Sequence, residues 1–128
     1  MKLSILLTVT TVAALGFTIA FLFLPGQYLS IFGLQANPAT LWLSRYLGGA
    51  AFGYTLLAWF ARNSTDSEAR RAIVLAMFGA WGVAFIGLLL GQIAGMANSL
   101  GWIMVALMGL FTLAYGYFQF VKPHDPGA

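Results

Sequence analysis

The chain has 128 residues, of which 61% are hydrophobic and only 7% charged, with a net charge of +3 and no cysteine. A soluble domain carries about 25% charged residues to keep its surface solvated. This composition therefore excludes a water-solvated globule, and the missing thiols exclude disulfide exchange and thiolate metal sites.

The first apolar stretch runs from Leu3 to Leu24, long enough to span a bilayer, which needs about 20 apolar residues. It exceeds the signal-peptide core of about 7–15 residues and lacks a small-x-small cleavage site, so an uncleaved helix is expected. Pro25-Gly26 ends it. The segment Gln27–Leu34 is amphipathic, with Tyr28, Leu29, Ile31 and Phe32 suited to the membrane interface and Gly33 as a stop. Asn37-Pro38 reads as a cap followed by a first-turn proline, opening a second spanning helix over about 38–61.

Arg62–Arg71 is the polar connection. Thr65-Asp66-Ser67-Glu68 has capping-box spacing, so the third helix is expected over about 66–97. A turn at Asn98-Ser99 leads to a fourth helix over about 100–121, which the tail Lys122–Pro126 breaks. The expected fold class is an all-α membrane protein. Residues 1–128 form a single domain of four transmembrane helices in a bundle, with a short interfacial helix between the first and second.

Four spans place both termini and the middle loop on one side, with Lys2, Arg62, Arg70, Arg71 and Lys122. The two opposite connections hold no Lys or Arg. The positive-inside rule then makes both termini cytoplasmic in a multi-pass protein of the bacterial inner membrane. The positive charge is accounted for by topology, and no nucleic-acid partner is expected. Tyr28, Trp42, Tyr46 and Trp102 are expected at the outer interface, and Trp59, Tyr115 and Tyr117 toward the inner one.

Lipid-solvated helices gain little hydrophobic energy on association, so close backbone approach must supply the attraction. Ala76, Ala80, Ala84, Gly87, Gly91 and Gly95 form a small-residue stripe on the third helix, and Gly49 and Gly53 a small pair on the second. Gly101, Gly109, Thr112 and Gly116 share a face of the fourth. These seams serve packing within the bundle or contact with other membrane subunits or a second copy. Ser4, Thr8, Thr11 and Thr18 share a face of the first helix, where hydroxyls bond their own backbone or a neighbouring helix.

Arg45 is the only charge well inside a predicted span, about 10 Å along the helix from Pro38. An intramembrane ionisable residue raises a functional hypothesis, while a snorkelling arginine reaches lipid phosphates. Gln92 belongs at similar depth on the third helix, sharing a face with Trp81, Phe85 and Leu88. If the two faces meet, Arg45, Gln92, Asn98 and Trp102 form a polar site. No acid–base pair, nucleophile with a histidine partner or metal-ligand cluster stands in the sequence, so no catalytic residue, metal or cofactor is expected.

Leu24-Pro25, then Phe32-Gly33-Leu34, Arg45-Tyr46-Leu47-Gly48-Gly49 with Gly53, and Gly91-Gln92-Ile93-Ala94-Gly95 running into Gly101-Trp102 follow one another along the chain. This order resembles a broad group of uncharacterised small bacterial four-helix integral membrane proteins. The resemblance implies the architecture and no activity. A looser likeness to four-helix membrane proteins associated with oxidoreductases implies an accessory role. Small fluoride channels share the length and helix count, but they insert in both orientations, which the one-sided charge forbids. The leading expectation is a non-enzymatic inner-membrane accessory or stabilising subunit that associates through small-residue faces, with membrane lipids as its surroundings. The alternatives are a small transporter or channel around Arg45 and Gln92, and a binder of a lipid or hydrophobic cofactor between aromatic side chains.

Overall fold

The computed structural model describes residues 2–65 and 67–121. Its described residues are helical and form no strand: α1 Leu3–Phe23, α2 Pro25–Ile31, α3 Pro38–Arg62, α4 Glu68–Ile93 and α5 Gly101–Gly116, the last continued by a π-helical turn, Tyr117–Val121. Asp66 and the tail from Lys122, where a helix start and a helix break are expected, lie outside the described residues.

Local chemistry sets most of these limits. Pro25 occupies the first turn of α2, where a missing N–H costs nothing. Asn37 and Thr40 cap α3 reciprocally: the Asn37 side chain accepts from Thr40 N, and the Thr40 hydroxyl accepts from Asn37 N, both at 2.9 Å. At α4 the cap is Ser67, whose side chain accepts from Arg70 N at 3.1 Å. That helix also stops at Ile93, short of the expected Ala97. Gly95, with φ +78°, takes a left-handed turn that a side chain would strain. Its N–H bonds Gln92 O, and Met96 N–H bonds Gly91 O, the two bonds of a Schellman stop. Gly33, φ +70°, ends α2 identically, with Gly33 N to Ser30 O and Leu34 N to Leu29 O. One stop motif therefore closes both turns at the same end of the molecule.

Three helices are long and apolar enough to cross a membrane: α1, α4, and α5 with its π turn. The expectation of four is met only in part. α3 has the length, 25 residues, but Thr40, Ser44, Arg45 and its glycines dilute its apolar character.

α1 and α3 pack as one antiparallel hairpin and α4 with α5 as another, and the two hairpins touch each other far less than they touch internally. The core that joins them lies at one end. It consists of Leu3, Leu6 and Leu7 of α1, Ala58 and Ala61 of α3, Val74, Met77 and Trp81 of α4, and Met108, Phe111, Tyr115 and Phe118 of α5. Tyr115, expected at an interface belt, is fully buried there. Its hydroxyl meets Thr10 Oγ1 at 2.6 Å, a polar tie between α1 and α5 inside this core. Thr10 was not on the predicted hydroxyl face. Thr8, Thr11 and Thr18, which were, bond their own helix at Ser4 O, Leu7 O and Ala14 O. At the same end Arg62 donates from Nε to Thr8 Oγ1 and lies over the Trp59 ring.

Close helix approach falls partly on the predicted glycines. A side chain at Gly109 would press on Phe85, at Gly116 on Phe78, and at Gly101 on Gln92, so the expected α5 face does contact α4. On α3 the close approach is at Gly48, where a Cβ would stand 2.7 Å from Leu22 Cγ. Apart from its own stretch of helix backbone, such a Cβ at Gly49, Gly53 or Gly87 would have no described atom within 4 Å. The stripe on α4 is likewise not a seam between the hairpins: Ala84, Gly87 and Gly91 border a cavity, while Gly95 serves the helix stop and Ala80 is half-buried.

Candidate functional site

Away from the shared core the hairpins leave space between them, forming a partly enclosed cavity of about 640 Å³. All four long helices and α2 line it. Its floor is Trp81, buried against Phe111 (ring centroids 5.5 Å) and Tyr54 (5.2 Å), together with Met108 and Ala14. Phe17, Phe21, Tyr28 and Phe32 form a chain of ring contacts along one wall, with centroids 4.7 Å apart for Phe21 and Tyr28 and 5.1 Å for Tyr28 and Phe32. The opposite wall is small: Ala50 and Ala51 of α3, with Ala84, Gly87 and Gly91 of α4. These small residues leave the volume unfilled.

Among the described residues no charged side chain lines this space, and its polar groups are largely satisfied within the protein. Ser44 Oγ donates to Thr40 O at 2.8 Å, and Gln92 Nε2 to Asn98 O at 2.8 Å. Tyr28 donates weakly to Met104 Sδ at 3.8 Å, and burial pushes its phenol up to about 12, so it remains a neutral donor at physiological pH. Trp81 Nε1 is buried without a hydrogen-bond partner.

The end beyond Gln92 is roofed. Asn98 N–H donates to Phe32 O and its Nδ2 to Ile31 O, both at 2.9 Å, while Oδ1 accepts from Leu100 N at 3.0 Å. The turn after α4 is thereby fastened to α2, and Gly33 lets the α2 stop sit against the Asn98 side chain.

Of the four expected polar-site residues, Gln92 and Asn98 come together, as parts of this roof. Arg45 does not join them. The lining positions Ser44, Leu47, Ala51 and Tyr54 define one face of α3, and at about 100° per residue Arg45 falls on the far side, exposed. Trp102 is also exposed and does not line the cavity. A face of Trp81 and Leu88 with Gln92 was legible in the sequence. The ring chain Phe17–Phe21–Tyr28–Phe32 was missed, although its spacing of Phe17 and Phe21 (i, i+4) and of Tyr28 and Phe32 (i, i+4) is a readable sign.

The chain matches no family model, no curated protein and no solved structure.

Proposed function

We propose that this is a non-enzymatic, multi-pass inner-membrane protein of four spans, both termini cytoplasmic, that binds an apolar, lipid-like molecule between its two hairpins. The observation that carries the reading is the cavity of about 640 Å³, within the range of about 300–1,000 Å³ typical of small-molecule sites. Left empty, the apolar lining of such a space lacks the dispersion contacts that a packed interior supplies. Water is a poor filler, because each buried molecule needs two to four polar partners and the lining offers few. An apolar occupant supplies those contacts.

The counting of α3 as a fourth span rests on its length and on the one-sided distribution of Lys and Arg. A reporter active only in the cytoplasm is expected to work inserted near Ser64, and a periplasmic one near Gln35. Cytoplasmic activity at Gln35 would overturn the arrangement.

To test the occupant, the protein is purified in mild detergent, and co-purifying molecules are extracted and weighed by mass spectrometry. A stoichiometric apolar molecule is expected, and less of it should be retained in Ala84→Phe, which places a ring in the middle of the cavity. A wild-type protein that is folded yet empty, or an Ala84→Phe protein that keeps the molecule in full, would sink the proposal.

An accessory-subunit role is a second reading, favoured by the open space at Gly49 and Gly53, where an added side chain would meet no neighbouring helix among the described residues. Capture of one intact membrane complex by the wild type but not by Gly53→Leu would support it.

A further inference from the structure

The walls of the cavity are not equally closed. On the α1/α5 side its lining residues are buried or half-buried: Ala14, Phe17, Met104 and Met108. The roof is fastened by Asn98 to α2. The exposed lining residues are Leu47 and Ala50 of α3 and Gly87 and Leu88 of α4, with Met96 just beyond. Apart from its own stretch of helix backbone, Gly87 has no described atom within 4 Å of where a side chain would start.

From this asymmetry we infer that the cavity fills sideways from the bilayer, through the gap between α3 and α4, and that it takes an uncharged acyl or isoprenoid chain. The inference rests on the lipid-binding reading above. A charged end would lose its hydration without a lining partner, since no charged residue among those described faces the space and Arg45 lies on the other side of α3. A chain already dissolved in the membrane crosses no polar roof on the way. Trp81, at the floor, is about 18 Å along α4 from its end at Ile93, so an occupant must reach deep to touch it.

Trp81 also provides the readout. Trp42, Trp59 and Trp102 are exposed and are replaced by Phe, leaving Trp81 as the sole tryptophan, which is excited selectively on the red side of tyrosine absorption. The full chain is placed in phosphatidylcholine vesicles whose acyl chains are dibrominated at mid-chain. A parallel sample uses unlabelled dioleoylphosphatidylcholine vesicles doped with a dibrominated fatty-acid methyl ester. Quenching in the first sample identifies a phospholipid chain as the occupant. Quenching confined to the second identifies a free neutral chain. Either supports the inference when Gly87→Phe and Ala50→Phe, which narrow the gap from opposite sides, lose most of the quenching while Gly53→Phe, on another face of α3, retains it. Quenching equal in all variants overturns the sideways route but leaves the occupied cavity standing. No quenching of the parent protein in either sample overturns both.

Discussion

The Thr10–Tyr115 tie makes an asymmetric prediction. Thr10 Oγ1 has one proton, and it is donated to Leu6 O at 2.9 Å. In the 2.6 Å contact the donor is therefore Tyr115, and Thr10 is its acceptor. Tyr115→Phe removes the donor and leaves Thr10 bonded to its own helix. The loss is one interhelical hydrogen bond, about 0.6 kcal/mol on average inside membranes. Thr10→Val keeps the shape but strands the Tyr115 hydroxyl in a fully buried site, at about 1–3 kcal/mol. The double variant strands nothing, so it should be more stable than Thr10→Val alone, with a coupling on the order of 1 kcal/mol. Reversible unfolding in mixed micelles, followed by tryptophan emission, measures all three. Equal losses from the two single substitutions, or simple additivity in the double, would refute the assignment of donor and acceptor.

Two further outcomes follow from the packing. Gly48→Ala should cost about 1–3 kcal/mol, because its new methyl meets Leu22 at 2.7 Å. Gly53→Ala, in open space, should be neutral or gain up to about 1 kcal/mol in helix stability; the reverse order in the same unfolding assay would contradict the described α1–α3 contact. Arg45→Lys should leave folded yield unchanged and stability within about 0.5 kcal/mol, since an exposed cation needs only to reach lipid phosphates. A loss of folded protein in Arg45→Lys would mean that the planar fork of arginine has a partner.

Helix formation and its punctuation were legible in the residues themselves. An apolar run of membrane length, Asn37-Pro38 with Thr40, and Pro25 each act on neighbours a few positions away, so Leu3–Phe23, Pro25–Ile31 and Pro38–Arg62 lie within two residues of their expected limits or, for α2, shift toward the proline. The end of α4 was misread because Ala94–Ala97 suits a helix by composition. The left-handed Gly95 overrides that preference by satisfying the last carbonyls in a Schellman stop.

Periodicity places residues on a face but does not say what the face meets. Gly49 and Gly48 are neighbours in sequence, yet only Gly48 meets Leu22, because contact depends on how α1 crosses α3. Ala84, Gly87 and Gly91 form a regular stripe, and the divergence of the hairpins turns it from a packing seam into a cavity wall. Thr10 was indistinguishable from its neighbouring threonines until Tyr115, more than a hundred positions away, was brought against it. Apolar character and helix length are sums over local composition and were legible in the sequence, three of the helices being long and apolar enough to cross a membrane. The tie, the cavity and its roof depend on the relative placement of distant helices, and only the packed chain decides them.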